Sequence, residues 1–344
     1  MKVSKLIISL IFFAFPSSGT SANFDMKRLN EAIENNTFKN ITSVLVASKG
    51  DLALEAYWNG ANKNTLHDTR SATKSITAMA VGAAIDDGFI SGVEESAFAS
   101  LNPKTKVPGK LAVTIKDLLT MTSSLDCNDN DSNSPGNEAN MYPQRKWLDF
   151  VTGLPIKDAY KKNANGLGAF SYCTAGSFLL GQIVQSAAKQ PIDKYIEKRL
   201  FAPLGITNVH WDRSPSSEVQ TGGGTELSSR DLLKLGELVR NGGVYKGQKI
   251  LRKNWIDEML TKHTAANDKQ YYGYQWWHRD FKCGATSVSG WYMAGNGGNK
   301  LVVFKQLELT VLVTATHYGQ RNMHQQTTKL IETFILNNIS ACNA

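Results

Sequence analysis

The chain places β-rich sequence on both sides of a long helical block, and this order limits the folds that it can adopt. Two runs rich in β-branched and aromatic residues, 41–48 and 52–58, come first and are joined by a Lys-Gly-Asp hairpin signal. Helical periodicity dominates from residue 71 onwards, strand-like runs return from about residue 271, and a helical segment, 325–336, closes the chain. The simplest packing brings both ends into one antiparallel sheet with terminal helices on a face.

This packing predicts an α+β protein with an inserted all-helical domain. We expect a sheet domain of residues 23–70 and 266–344 and a helical domain of residues 71–265. The first terminal helix is predicted at 24–35. The later strands are predicted at 271–277, 287–293, 300–305 and 309–316. Clefts tend to form where the chain crosses between such units, so the first crossing is the expected place of a functional site.

The first 22 residues are typical of a signal peptide. Lys2 and Lys5 precede an apolar run, 6–15, and small residues follow up to Ala22. The apolar run is short for a membrane span, so cleavage after Ala22 is favoured over an uncleaved anchor. The sequence therefore predicts a periplasmic or secreted protein with no stable membrane anchor.

Several functional classes lack their sequence signals in this chain. The 38 Lys and Arg residues exceed the 30 Asp and Glu residues only modestly, and no basic run indicates nucleic-acid binding. No Gly-x-Ser-x-Gly elbow and no His-Glu-x-x-His motif occur, which disfavours α/β-hydrolases and zinc proteases. We expect no cofactor and no metal.

The four cysteines lack the spacing of metal ligands; they are Cys127, Cys173, Cys283 and Cys342. In an exported protein an even number of cysteines suggests disulfides, and the sequence alone allows three pairings. Buried free thiols are the alternative.

A Ser-x-x-Lys motif, Ser71 to Lys74, opens an apolar helical run. Residues three apart on a helix lie on one face, so the hydroxyl and the amine would be neighbours. In a dry pocket such a lysine can act as a base toward the serine. A second copy, Ser186 to Lys189, lies at the end of a helical run just before Pro191 and is interpreted as a chance match.

Further segments give this motif a family context. Tyr172-x-Thr174 precedes Leu-Leu-Gly, and the chain also contains Leu-Leu-Thr-Met at 118–121, three glycines at 222–224 and Tyr-Gly-Tyr-Gln-Trp-Trp at 272–277. Together they resemble the serine β-lactamase and DD-peptidase superfamily. The similarity is greatest to its class C-like branch of esterases, D-stereospecific peptidases and 6-aminohexanoate-dimer hydrolases. The resemblance implies a β-lactamase/transpeptidase-like fold.

The resemblance also implies catalytic roles. Ser71 would be the acylated nucleophile, Lys74 its partner base, and Tyr172 the group that passes a proton to the leaving group. The backbone N–H groups of Ser71 and Asn296 would form the oxyanion hole.

The third motif of the family departs from its usual form. Met-Ala-Gly at 293–295 stands where Lys-Thr-Gly or His-x-Gly is usual, while Gln-Thr-Gly at 220–222 lies in the helical block and is set aside. Met293 would replace a cation that often helps to hold a carboxylate, and Lys300 or Arg321 are candidate substitutes. Thr174 stands where asparagine is common.

The resemblance assigns further residues to the cleft and to cross-links. Thr174, Met293 and Gly295 are expected to contact substrate. Trp276 and Trp277 are candidates for an apolar acyl pocket, although packing of the sheet against helices explains them equally well. The implied disulfides are Cys127–Cys173, which would fix the tyrosine loop, and Cys283–Cys342, which would tie the sheet to the C-terminus.

These features predict an exported serine hydrolase that cleaves a small-molecule ester or amide through an acyl-enzyme on Ser71. The alternative is a penicillin-binding-type protein, or a β-lactamase or D-peptidase, that acts on cell-wall-like peptides or β-lactams with low turnover. The intact Ser71, Lys74 and Tyr172 favour the enzyme, whereas the altered third motif keeps the alternative open.

Overall fold

The computed structural model describes residues 24–99, 101, 109–157 and 160–342, so the predicted signal peptide, 1–22, lies outside the described residues. The helices are α1 (Met26–Glu34), α2 (Thr73–Asp86), α3 (Ile115–Leu119), α4 (Glu138–Met141), α5 (Trp147–Gly153), α6 (Thr174–Ala188), α7 (Ile192–Ile196), α8 (Ser229–Arg240), α9 (Lys253–Met259) and α10 (Met323–Leu330). The strands are β1 (Ile41–Ser48), β2 (Asp51–Tyr57), β3 (Leu66–Asp68), β4 (His210–Trp211), β5 (Thr225–Ser228), β6 (Val244–Tyr245), β7 (Gln248–Lys249), β8 (Thr264–Asn267), β9 (Gln270–Tyr272), β10 (Trp277–Cys283), β11 (Thr286–Gly295), β12 (Asn299–Phe304) and β13 (Leu309–Ala315).

Both ends of the chain meet in one antiparallel sheet. Its strand order is β2-β1-β13-β12-β11-β10-β9-β8, with smaller sheets formed by β3-β5-β4 and by β6-β7. The junction between the two ends is the pairing of β1 with β13, in which Val44 lies opposite Val313. The α+β architecture predicted from the sequence is confirmed.

The terminal helices cover one face of this sheet. Leu29 and Ile33 of α1 and Leu330 of α10 pack in a core with strand residues such as Val302. Burying each apolar side chain of this size contributes roughly 1.5–3 kcal/mol. The expected placement of the terminal helices is therefore what the structure shows.

The opposite face of the sheet shares one continuous core with the helical block. Ile76 of α2 and Leu180 of α6 belong to the same cluster of buried side chains as Leu301 of β12. Helix α8 falls within the predicted helical domain, 71–265, yet it packs directly on the sheet, where Ser229 Oγ lies 2.8 Å from Ser43 Oγ. The division into two domains stays a prediction.

The region around residue 275 differs from the expected strand at 271–277. Gln275 has a left-handed backbone with φ of 58°, and its side-chain amide donates a hydrogen bond of 2.9 Å to the Leu118 carbonyl oxygen. This turn separates β9 from β10, which continues to Cys283. Strand β10 was missed because His-Arg-Asp at 278–280 interrupts the regular alternation of apolar and polar residues that marks a strand.

Helix ends follow their sequence signals. Thr114 and Asp117 form a reciprocal capping box at α3, and the Ser228 hydroxyl accepts the Asp231 N–H at the start of α8.

Within the described residues, no helix combines the length and the apolar character needed to cross a membrane.

Candidate active site

A strained turn presents Ser71 at the entrance of α2. Ser71 lies in a short 3₁₀ turn, Arg70–Ala72, that leads directly into the helix. Arg70 has φ of 51°, a left-handed conformation that costs a residue with a side chain about 1–2 kcal/mol. Asp68 offsets this cost, because its carboxylate accepts the Arg70 N–H at 2.8 Å and pairs with the Arg70 guanidinium at 2.8 Å. The turn leaves Ser71 lining a cleft.

Lys74 is buried beneath Ser71 and has an acceptor for each of its three protons. Its Nζ donates to Ser71 Oγ at 3.1 Å, to Thr174 Oγ1 at 2.9 Å and to the Gly222 carbonyl oxygen at 2.6 Å. The structure thus brings together the predicted residues Ser71, Lys74 and Thr174. Gly222 belongs to the segment that sequence reasoning set aside, and its contribution is a backbone carbonyl rather than a side chain.

Tyr172 lines the same cleft and is held by its neighbours. Its ring centroid lies 5.0 Å from Lys74 Nζ, and the ring stacks on Trp277 with 5.7 Å between centroids. A disulfide joins Cys127 to Cys173 with 5.5 Å between their Cα atoms. This is the pairing that the family resemblance implied, and it fixes the backbone beside the tyrosine.

The second disulfide, Cys283–Cys342, also follows the implied pairing. It links the end of β10 to the last described turn. Among the described residues no cysteine is free.

The end of β11 lies against the turn that carries Ser71. A Cβ atom added to Gly295 would collide with the Thr69 carbonyl oxygen and would lie 3.1 Å from Arg70 Cβ. Glycine is therefore required for the strand to come this close. Asn296 follows at once and lines the cleft together with Ser71.

The structure corrects the expectation for Met293 and Trp276. Both side chains are almost fully buried, at 1% and 0% exposure, in the core shared by the sheet and the helices. Side chains alternate along a strand, so Ala294, not Met293, faces the cleft. Trp277 lines the cleft as predicted, whereas Trp276 belongs to the core.

Sequence reasoning missed two carboxylates, Asp129 and Glu138, at the tyrosine end of the cleft. One Asp129 oxygen accepts the Thr174 N–H at 2.6 Å and the other accepts the Glu138 N–H at 2.9 Å. Burial raises the pKa of Asp129 above its ordinary value, while nearby Lys74 opposes that rise. The only sequence signal was the Asp- and Asn-rich loop at 127–136, which predicts a loop but assigns no role.

The cleft has a volume of about 1020 Å³ and continues well past Ser71. It extends along β10 and β11 to α10 and the helical segment after it.

Among the described residues, no group of three or more His, Cys, Asp or Glu side chains could hold a metal ion.

The architecture is that of the β-lactamase/transpeptidase fold, which defines a class of serine hydrolases and penicillin-binding proteins. The model of the Beta-lactamase family matches residues 40–332. The chain therefore belongs to the β-lactamase family of serine hydrolases.

Known proteins place the chain among diverse members of this class. It is 27% identical to the 6-aminohexanoate-dimer hydrolase of Paenarthrobacter ureafaciens over 261 residues, which cover 68% of this chain and 63% of that protein. The chain spans less than two thirds of the length of the curated relatives it matches.

Two solved structures share the fold. The penicillin binding protein from Bacillus halodurans has a TM-score of 0.69 and 19% identity, with 88% of this chain and 99% of that chain covered. A family VIII carboxylesterase has a TM-score of 0.69 and 14% identity, with 92% and 97% covered.

Proposed function

We propose that the protein hydrolyses an ester or amide through an acyl-enzyme on Ser71. The observation that carries this proposal is the hydrogen bond from buried Lys74 to the Ser71 hydroxyl, made inside a cleft that Tyr172 and Asn296 also line. A serine hydroxyl in contact with a buried lysine of the helix that follows it, with backbone donors nearby, is an arrangement suited to acyl transfer.

The proposed reaction follows from these positions. Ser71 Oγ attacks the carbonyl carbon, and its proton passes through Lys74 and Tyr172 to the departing alcohol or amine. The N–H groups of Ser71 and Asn296 stabilise the negative oxygen of the tetrahedral intermediate. Water then attacks the acyl-enzyme, releases the acid and returns the proton to Ser71.

Esters are the favoured substrates over β-lactams. The side chain that β11 presents to the cleft beside Gly295 is Ala294, which offers a carboxylate next to the scissile bond neither charge nor hydrogen bond. Losing a charge-assisted hydrogen bond costs roughly 1.5–3 kcal/mol, or about one to two decades in rate. Thr174, which was expected to contact substrate, is fully buried and does not line the cleft, so its hydroxyl helps an amide leaving group little.

We therefore expect kcat/KM for a short-chain p-nitrophenyl ester to exceed that for nitrocefin by roughly tenfold or more. Both substrates are measured at matched pH and ionic strength, and fluorophosphonate labelling followed by peptide mapping should place the adduct on Ser71. Nitrocefin turnover as fast as ester turnover would instead support the β-lactamase alternative. Stoichiometric labelling by a fluorescent penicillin without ester turnover would support the penicillin-binding alternative.

Export through the signal peptide, 1–22, is part of this proposal. It is supported by the two disulfides, because such bonds persist mainly in oxidising compartments. Expression of the full chain should give exported protein whose N-terminal sequence begins at Asn23. Cytoplasmic protein that retains Met1 would contradict the proposed export.

A further inference from the structure

Lys74 is a buried base whose three hydrogen-bond acceptors are all uncharged. It is 1% exposed, and its Nζ donates to the Ser71 hydroxyl, the Thr174 hydroxyl and the Gly222 carbonyl oxygen. When Ser71 attacks a substrate, its proton moves to Lys74, and a positive charge appears at this buried position. A buried charge is costly unless an opposite charge compensates it. The proposed reaction is therefore favoured by a negative group near Lys74.

Asp129 is a carboxylate that the fold holds close to this amine. One of its oxygens accepts the N–H of Thr174, the first residue of α6, at 2.6 Å. The hydroxyl of the same threonine accepts from Lys74 Nζ at 2.9 Å, so a single residue links the carboxylate to the amine. Burial raises the pKa of Asp129 above its ordinary value, whereas the charge of Lys74 and the hydroxyl and N–H of Thr174 all lower it. These two residues therefore favour the ionised form of Asp129.

The position of Asp129 is fixed by contacts on both sides of Tyr172 and Cys173. Its backbone N–H donates to the Tyr172 carbonyl oxygen at 2.8 Å, while its carboxylate accepts the Thr174 N–H. Between these contacts lies Cys173, whose disulfide ties the same two segments together. The second carboxylate oxygen accepts the Glu138 N–H at the start of α4 at 2.9 Å. The charge of Asp129 is thus held at a set place in the wall of the cleft.

We propose that Asp129 is a positioning residue for the acyl transfer, which acts through the Thr174 hydroxyl to orient Lys74 and to compensate the charge that Lys74 acquires. This inference rests on the proposed acyl-enzyme function. Asp129 takes up no proton itself, because the proton leaves Ser71 Oγ for Lys74 Nζ as the bond from Oγ to the carbonyl carbon forms. The aspartate of a serine-histidine-aspartate triad has the same task, since it orients the base and stabilises its charged form.

A threonine at position 174 suits this arrangement better than the more common asparagine. A hydroxyl is both acceptor and donor at one atom, so Thr174 accepts from Lys74 and still interacts favourably with the Asp129 carboxylate. An amide has its acceptor and its donors on different atoms, so the lysine and the carboxylate would have to lie at different ends of it. The departure from asparagine is thus accompanied by a carboxylate beside the hydroxyl.

The pH dependence follows from the ionisable groups that face Asp129. These are Lys74 from α2, Glu138 at the start of α4, Tyr142 just after α4 and Tyr172 just before α6. Burial raises the pKa of Asp129, Lys74 opposes this rise, and Glu138 adds to it. The charge of Asp129 is therefore present above this raised pKa and is lost as pH falls through it. Loss of a negative charge also favours the neutral form of a neighbouring amine.

The test measures hydrolysis of a neutral ester, p-nitrophenyl butyrate, as a function of pH. On the plateau above the acid limb, Asp129→Asn should lower kcat about ten- to hundredfold with little change in KM. Its acid limb should lie at lower pH than that of wild type, because the negative charge beside Lys74 is gone. Asp131→Asn makes the same change two residues away, at an exposed side chain outside the cleft, and should match wild type in both respects.

Variants of Thr174 test the route through its hydroxyl and leave the loop that carries Asp129 unchanged. Thr174→Ser keeps the hydroxyl and should retain kcat within about threefold, whereas Thr174→Val should lower it about tenfold or more. Because both residues act on the same amine, Asp129→Asn should lower kcat by no more than about threefold in Thr174→Val. An equal effect of Asp129→Asn with and without the hydroxyl would overturn the route through Thr174.

Two kinetic results with Asp129→Asn would overturn the inference while the proposed function stands. One is a wild-type kcat, or a lowered plateau with an unmoved acid limb, which is what a purely structural role gives. The other is a raised KM with unchanged kcat, which would make Asp129 a substrate contact. A thermal melt shows whether the variant is folded. If it is not, Asp129→Ser takes its place, since it lacks the charge and its hydroxyl can accept an N–H.

If wild type does not hydrolyse the ester, the proposed function fails and this inference is decided without turnover. NMR of protein with isotope-labelled lysine then follows the titration of the Lys74 amine, whose signal is assigned by its loss in Lys74→Arg. The midpoint should lie at lower pH in Asp129→Asn than in wild type and should be unchanged in Asp131→Asn. Equal midpoints in wild type and Asp129→Asn would overturn the inference.

Discussion

Ser71→Ala should abolish fluorophosphonate labelling and lower kcat for a p-nitrophenyl ester by about four orders of magnitude or more. The hydroxyl is the only group at this position that can form the acyl-enzyme. Among the side chains that the structure describes, only Lys74 forms a hydrogen bond with this hydroxyl, so its removal should leave the fold intact. Steady-state kinetics, intact-protein mass spectrometry and a thermal melt give the three readouts.

Ser186→Ala is the matched control, because it alters the second Ser-x-x-Lys copy. Ser186 lies near the end of α6, and Lys189 caps that helix in a left-handed conformation, so this copy has the geometry of a helix end. Labelling and turnover should match wild type. Labelling that survives Ser71→Ala would refute the assignment of the nucleophile.

Gly295→Ala should lower kcat by about two to three orders of magnitude with a smaller change in KM. The new methyl group would collide with the Thr69 carbonyl oxygen, so either β11 or the turn before Ser71 must move. Such a shift displaces the Asn296 N–H from the oxygen that it would stabilise. Kinetics on the neutral ester and a thermal melt of the same preparation separate loss of catalysis from loss of folding.

Gly92→Ala provides the matched control, since a Cβ atom at Gly92 would meet no atom within 4 Å. It should keep both kcat and the melting temperature of wild type. Wild-type kcat in Gly295→Ala would show that the close approach of β11 does not position an oxyanion donor.

The sequence predicted those parts of the site that depend on local spacing. Ser71 and Lys74 are three residues apart at a helix start, so their contact follows from helix geometry alone. The antiparallel sheet was also predictable, because β-rich runs at both chain ends have few other ways to be buried together.

Contacts that depend on register and backbone direction could not be predicted. Met293 was assigned to the cleft by its position in the third motif and Trp276 by its residue type, but the register of the strands and the turn at Gln275 direct both into the core. The Gln-Thr-Gly segment at 220–222 was set aside because it lies in the helical block, while the carbonyl of Gly222 accepts the shortest hydrogen bond of Lys74. Lys300 and Arg321 were both candidates to replace the missing cation of the third motif. The fold distinguishes them, because Lys300 lines the cleft and Arg321 does not.

The left-handed turn at Gln275 has a consequence for how ligands reach Ser71. The Gln275 backbone carbonyl accepts a hydrogen bond from Ser75 of α2 at 2.6 Å, and its side-chain oxygen accepts another from Ser177 of α6 at 2.7 Å. One buried residue of the turn between β9 and β10 is thus hydrogen-bonded to two helices of the helical block. Moving the sheet away from these helices would leave several buried polar groups without hydrogen-bond partners, at a cost of about 1–3 kcal/mol each. We therefore do not expect the cleft to open by a hinge motion. We expect substrates and products to enter and leave through the opening of the cleft while the sheet and the helices keep their relative positions.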